Sequence, residues 1–275
     1  MKQVKLGISG ATTMPYDLFT EIEVLGKSGV RYLEVWKDKL LKVEVSGKLG
    51  ELKNLADDKG VVLYDINSLG DATLPDNVED KLEECRRLCD LANRIGAEMI
   101  TVCPSFIEGG HQREALLDRS VENLFKLSEV AKEFGVKLAF EFLYFSKSSV
   151  RTLGDSRKLV ERVGSRHLGL LVDSAHLFLG GSSLKELEST PGDLIFLVHI
   201  DDIRKTEGEP RDEDRVMPGD GILPLNEYLK TALMTGYEGP IMVEIFNEEL
   251  WKKDVEVIVM EAIEKFQRLE TEVEE

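Results

Sequence analysis

Short apolar runs alternate with longer segments of helical period along almost the whole chain, and this alternation limits the fold more than any other feature. The runs are Val4–Ile8, Arg31–Trp36, Val61–Ile66, Met99–Cys103, Lys137–Leu143, Leu168–Val172, Ile195–Ile200 and Pro240–Phe246. Each is bounded by turn-forming residues and reads as a strand buried on both faces. Between them lie the helical segments Pro15–Ser28, Asn77–Ile95, Arg113–Phe134, Asp155–Val163, Asn226–Thr235 and Lys252–Leu269. Asn77–Ile95 carries Leu82, Cys85, Leu88, Leu91, Ala92 and Ile95 on one face and stops at Gly96. Repeated strand–helix units imply a parallel sheet with right-handed crossovers. Eight of them in a chain of 275 residues match a closed (β/α)8 barrel, which takes about 250 residues. An open doubly wound sheet would normally open with G-x-G-x-x-G after its first strand. Here that turn is Ser9-Gly10-Ala11-Thr12-Thr13. With no linker and no break in composition, residues 1–275 are expected to form one α/β barrel domain.

The charge balance narrows the partners. With 35 basic and 52 acidic residues the net charge is −17, so duplex nucleic acid and an anionic membrane surface are repelled on average. No apolar run approaches the roughly 18 residues of a membrane span, and Met1-Lys2-Gln3-Val4-Lys5 leads into a strand rather than a secretory signal. Three cysteines, an odd number, do not form a disulfide framework and fit a reducing cytoplasm. The longest irregular stretch, Thr206–Gly221, is rich in Gly, Pro, Asp and Arg. A long loop in a compact domain is usually functional.

In such a barrel the active site lies at the C-terminal ends of the strands. Glu141 lies in the fifth run, Asp173 closes the sixth, His199 is near the end of the seventh, and Glu244 is in the eighth. Taken singly, each is a buried polar residue with a local partner. Three carboxylates and a histidine on four consecutive strands near one mouth would repel one another, and a divalent cation removes that repulsion. One imidazole with three carboxylates suits Mn²⁺, Mg²⁺ or Co²⁺ and tolerates Zn²⁺. His176 follows Asp173 by three residues and either packs at a helix start, touches the metal or binds a substrate oxygen. Arg215, in the long loop, either pairs with its acidic neighbours on the surface or folds over the pocket to bind an oxyanion. His167 reads as a surface residue, and His111, in a Gly-rich loop after the fourth strand, reads as an ordinary loop residue, with a place lining the mouth as the alternative. Gly180-Gly181-Ser182-Ser183 is not a P-loop, because no Lys follows a second glycine.

These segments resemble the xylose-isomerase-like superfamily of metal-dependent TIM barrels, and within it the sugar epimerases and isomerases of the D-tagatose 3-epimerase and inosose isomerase type. The likeness spans essentially the whole chain. It rests on Glu141, on D-S-x-H at Asp173–His176, on H-I-D-D at His199–Asp202, on D-E-D-R-V-x-P-G-x-G at Asp212–Gly221 and on Glu244. The resemblance implies metal ligands at Glu141, Asp173, His199 and Glu244, with Mn²⁺ foremost. It implies that the two glutamates double as the catalytic acid–base pair, and that His176 and Arg215 contact the substrate. Epimerising a carbon beside a ketone requires loss of a weakly acidic proton through a cis-enediolate. One carboxylate removes the proton and the other delivers one to the opposite face. Ketose 3-epimerases of this type usually carry a second Glu six residues beyond the strand-five Glu; here Lys147 stands there. Either Lys147 points to solvent, or a cation replacing an anion favours a keto-sugar acid such as 5-keto-L-gluconate or D-tagaturonate. The resemblance and the apolar-sided last helix also imply a homo-oligomer.

Three other functions compete. Inosose isomerase, or a dehydratase of an inosose or sugar acid, would use the same site. A phosphodiesterase of the endonuclease IV type needs further histidines, absent where Ile66-Asn67-Ser68, Val102-Cys103-Pro104 and Asp214-Arg215-Val216 stand. A non-catalytic sugar-binding barrel has no need of paired glutamates.

Overall fold

The computed structural model describes residues 4–107 and 113–274. Eight parallel strands close into a barrel in chain order: β1 (Leu6–Ser9), β2 (Tyr32–Trp36), β3 (Val62–Leu69), β4 (Met99–Val102), β5 (Lys137–Glu141), β6 (Leu168–Asp173), β7 (Ile195–Ile200) and β10 (Ile241–Val243), which pairs back onto β1. The ring outside them includes α1 (Leu18–Ser28), α4 (Val78–Ile95), α5 (Arg113–Phe134), α6 (Leu153–Val163), α9 (Leu225–Met234) and α10 (Val255–Glu274). Local chemistry sets their ends. Asp17, Asn77 and Thr152 cap α1, α4 and α6 by accepting from backbone N–H groups of the first turn. Gly29 and Gly96 end α1 and α4 at φ 83° and 79°, a left-handed conformation that other residues enter at a cost.

Four helices were not anticipated. α2 (Lys37–Val45) and α3 (Leu49–Lys59) fill the connection between β2 and β3, and α7 (Ser174–Leu179) and α8 (Leu184–Glu188) the one between β6 and β7. In α2 the apolar periodicity is thin, with only Lys39, Leu40 and Val43 buried, and α7 and α8 are six and five residues long. α3 buries Leu49, Leu52 and Ala56 on one face at helical spacing.

The pleat of the strands places the mouth. A lower layer of Met99, Ala139, Leu171, Leu197 and Met242, with Tyr32, Tyr64 and Phe196 packed on it, plugs the barrel. Gly7 leaves room for it, since a Cβ there would lie 2.1 Å from Met242 Sδ. Side chains two residues apart on a strand share a face. Two residues above Ala139, Leu171, Leu197, Met242 and Tyr32 stand Glu141, Asp173, His199, Glu244 and Glu34, all buried. The apolar plug and the polar mouth are therefore successive layers of one pleated interior.

The long loop after β7 is a fixed structure. Its β8 (Asp202–Ile203) and β9 (Arg215–Val216) form an antiparallel pair. Asp202 organises the return: Oδ1 accepts from Ile203 N and Leu223 N at 2.8 and 2.9 Å, and Oδ2 from Gly219 N and Gly221 N at 3.1 and 2.8 Å. Gly221 lets the chain pass this closely, as a Cβ there would lie 2.3 Å from Asp202 Oδ1. Asn247 Nδ2 donates to Arg215 O at 2.8 Å and ties the loop to the end of β10. Replacing Asp202 by Ala removes the acceptor of four N–H groups; the one on Ile203 is buried, where an unsatisfied donor costs about 1–3 kcal/mol, and the other three, half-buried or exposed, lose the contact that gathers the loop. Asp202→Ala is therefore expected to lower the melting temperature and to open the loop to trypsin at Arg204, Lys205 and Arg211. Unchanged melting and cleavage would show that the loop is held by other means.

Candidate metal centre

Glu141, Asp173, His199 and Glu244 converge at the mouth. One ligand atom from each lies within 4.8 Å of every other, and all four residues are buried. His199 Nδ1 stands 3.2 Å from Glu244 Oε2 and 3.8 Å from Glu141 Oε1. Among the described residues, Glu141 Oε1 is buried and accepts no hydrogen bond, while Oε2 accepts from the Cys103 thiol at 3.5 Å. Asp173 also caps α7, with Oδ1 accepting from His176 N at 2.7 Å. Beneath the cluster, His199 Nε2 lies 2.7 Å from Glu34 Oε2. Asn67 Nδ2 lies 2.9 Å from both Glu34 Oε1 and Glu244 Oε1.

Arg215 enters from the side, only 1% exposed. Its Nη1 is 3.0 Å from Asp173 Oδ2, 2.8 Å from Asp201 Oδ2 and 3.6 Å from Glu244 Oε2. Its Nη2 faces His176 Nε2 at 3.0 Å, and its guanidinium lies 5.6 Å from the centre of the Phe246 ring. His176 thus meets Arg215 at one ring nitrogen and Tyr144 N–H at the other, 3.2 Å away. Aromatic rings wall the mouth on two sides: Trp36 with Phe246, and Phe145 with Tyr144, Phe106 and the His176 ring.

The charges respond to this crowding. Burial, then the neighbouring Glu244 carboxylate, raises Glu141 well above the usual carboxylate range. Burial also raises Glu244 against the pull of His199. Burial opposes ionisation of Asp173 as well, but Arg215, His176 and His199 outweigh it and hold the group at about 2. Burial disfavours a charged His199, yet Glu34 and Glu244 raise its pKa. Three carboxylates, an imidazole nitrogen turned among them and one carboxylate oxygen without a donor form a hard set with a borderline nitrogen. That set fits a divalent cation.

Several further placements bear on the sequence reading. Lys147 is an exposed residue of the rim loop after β5, its carbonyl accepting from Ile107 N at 2.8 Å. His167 sits before β6 with Nδ1 2.8 Å from Val136 O, away from the mouth residues in sequence and partners. His111 lies outside the described residues. Glu34, Asn67, Cys103 and Asp201 escaped the sequence reading. For Glu34 the signal was present: a charged residue in the apolar run Tyr32–Trp36, the same pattern that singled out Glu141. Asn67 and Cys103 carry no such mark.

A family model described as the xylose isomerase-like TIM barrel matches residues 22–268. The chain belongs to this family. Among its xylose isomerase-like relatives, the inosose isomerase of Halalkalibacterium halodurans is 30% identical over 94% of this chain and 94% of that protein. That of Bacillus licheniformis is 31% identical over 95% and 96%. A solved structure of the IolI protein with a bound zinc atom superposes with a TM-score of 0.93 at 27% identity, covering 97% of this chain and 98% of that one. D-psicose 3-epimerase from Clostridium cellulolyticum, at 18% identity and a TM-score of 0.80, shares the fold. Among the described residues no helix is long and apolar enough to cross a membrane.

His176 yields a signed prediction. Burial, with the Arg215 charge beside it, holds its ring at about 3 against the opposing pull of Asp173. The unfolded chain takes up a proton near pH 6.5 that the native ring refuses, so stability falls as pH drops from about 6.5 towards 3. This group contributes a slope of at most about 1.4 kcal/mol per pH unit. The ring is expected not to titrate between about pH 5 and 9 in ¹⁵N NMR, and His176→Gln should flatten the acid limb of the stability curve. A ring titrating near its ordinary value would contradict this.

Proposed function

We propose that the protein is a divalent-metal-dependent isomerase that moves a proton beside the carbonyl of a keto sugar or keto-sugar acid, epimerising it through a cis-enediolate. The observation that carries this reading is the convergence of Glu141 and Glu244 with Asp173 and His199 within 4.8 Å, which supplies a cation site and two acid–base groups in one buried mouth. Glu141, Asp173, His199 and Glu244 would hold the ion, Mn²⁺ foremost, and the zinc atom bound by the IolI protein, which shares the fold, supports a metal-dependent reading. A cation bound there polarises the carbonyl and offsets the negative charge that develops as the proton leaves.

The chain's own groups handle the proton. Glu141 Oε1, buried without a donor, has a lone pair free to take it. On Glu244, Oε1 is engaged by Asn67, which leaves Oε2 to deliver a proton. The two residues sit at the ends of β5 and β10, with β6 and β7 between them, and so can flank a substrate lying across the mouth. Their pKa values, raised by burial, let each carboxyl hold a proton more readily than an ordinary carboxylate, as an acid–base pair requires. Neutral His176 and cationic Arg215 would bind a substrate oxygen, and the aromatic walls would exclude water. Lys147, on the exposed rim loop, would meet an anionic substrate end and so favour a keto-sugar acid such as 5-keto-L-gluconate or D-tagaturonate.

A second reading fits about as well: isomerisation of an inosose on the same site. The inosose isomerases that match over nearly their full length support it. The enediolate is common to both, and only the carbon that receives the proton differs.

Proton exchange in D₂O tests the proposal. Protein loaded with Mn²⁺ is given neutral ketoses, keto-hexonates, hexuronates and inosose, and NMR reads deuterium at the carbon beside the carbonyl. Metal-dependent exchange is expected, abolished by a chelator and restored by Mn²⁺. Glu141→Gln and Glu244→Gln are each expected to slow it about 10²- to 10⁴-fold. An inverted epimer from a keto-sugar acid would support the first reading, and exchange with inosose alone the second. Absence of exchange across the panel with metal bound would overturn the proton-transfer mechanism.

A further inference from the structure

We propose that Glu34 and Asn67 are positioning residues that fix how His199 and Glu244 present their ligand atoms; the proposal rests on the metal-centre reading above. Glu34 is fully buried yet lies outside the four-residue ligand cluster. A buried carboxylate is costly unless paired and hydrogen-bonded, so its contacts indicate what it does there.

The donor–acceptor arithmetic narrows the arrangement. An ionised carboxylate only accepts. The 2.7 Å contact between Glu34 Oε2 and His199 Nε2 therefore calls for a proton on Nε2. Nδ1, 3.2 Å from Glu244 Oε2 and 3.8 Å from Glu141 Oε1, also carries a proton while Glu244 is ionised, and it is the nitrogen that gives its proton up to a bound cation. Glu34 thus holds Nε2–H in place and leaves Nδ1 as the ligating atom. Asn67 completes the chain. Its two N–H groups are matched to Glu34 Oε1 and Glu244 Oε1, each at 2.9 Å; the flipped amide would set its oxygen against two carboxylate oxygens. With Oε1 held, Glu244 is left with Oε2 towards the cluster. The sequence of contacts His199–Glu34–Asn67–Glu244 crosses from β7 to β2 to β3 to the end of β10. It ties the nitrogen donor and the carboxylate donor of one centre to a shared rigid link. Outer partners of this kind orient metal ligands and raise their basicity.

Glu34→Gln is the sharpest test, because it keeps the volume but offers one acceptor where two donors need one each. Asn67→Ala removes the link to Glu244. Zn²⁺ affinity is measured by calorimetry, with no substrate, on wild type and both variants, and thermal unfolding checks that each is folded. Zinc affinity is expected to fall about 10- to 100-fold in Glu34→Gln and by a smaller factor in Asn67→Ala. The Nε2–H proton resonance of zinc-loaded His199, far downfield against a carboxylate, is expected to move upfield in Glu34→Gln. Folded variants that bind Zn²⁺ within about threefold of wild type, with that resonance unmoved, would overturn the inference alone. Wild-type protein that takes up no zinc would overturn the metal-centre reading and this inference with it.

Discussion

The mouth of this barrel is organised by one electrostatic problem: several carboxylates are gathered in a space that water does not reach. Glu34, Asp173 and Asp201 are fully buried, and Glu141 and Glu244 nearly so. Stripping a carboxylate of water costs several kcal/mol after relaxation, on the order of the stability of a whole domain. The chain offsets that cost with Arg215, against Asp173, Asp201 and Glu244, and with His199, between Glu34 and Glu244. Among the described residues, Glu141 Oε1 is left without a hydrogen-bond donor, as is Oδ1 of the buried Asp65. The open lone pair on Glu141 lies where the proposed cation and proton transfer need it.

That solution depends on the loop that follows β7. Arg215 reaches the cluster because β8 and β9 pair, because Asp202 gathers the backbone of Gly219, Gly221 and Leu223, and because Asn247 holds the Arg215 carbonyl. The run His199-Ile200-Asp201-Asp202 therefore divides its work. His199 faces the centre. Asp201 accepts from Ser174 and Ala175 and pairs with Arg215. Asp202 builds the loop that delivers that same arginine. Four consecutive residues couple the inner surface of the barrel to its lid.

A common barrel with a common polar layer serves many chemistries, since function resides in the site and its loops rather than in the fold. Here the polar layer is suited to moving a proton, while the residues that would meet the rest of a substrate stand on the rim: Trp36 and Phe246 on one side, Phe106, Tyr144, Phe145 and Lys147 on the other. An inosose isomerase and a D-psicose 3-epimerase share the fold, and under the proposed function the choice among keto substrates would fall to these rim loops.

The barrel was legible in the sequence because strand burial on both faces and helix periodicity are local patterns. Glu141, Asp173, His199 and Glu244 were legible for a related reason: a charge inside an apolar run must find a partner, and the pleat turns each of these residues inward. Glu34 carried that same mark, but it lies far along the chain from the other four. Only closure of β1 onto β10 brings the second and third strands beside the seventh and last. Asn67 and Cys103 are ordinary residues whose roles exist only through their neighbours across the barrel. Helix α2 has too thin an apolar period to be read locally, α3 has one in Leu49, Leu52 and Ala56 that was passed over, and Lys147 could be numbered but not placed. The sequence by itself determined the repeat, the plug and the charged layer, since those follow from the period of side chains along single elements. The tertiary structure decided which carboxylates share a proton donor, which nitrogen of His199 faces inward and where Arg215 lands, because those follow from contacts between residues that only the closed barrel makes neighbours.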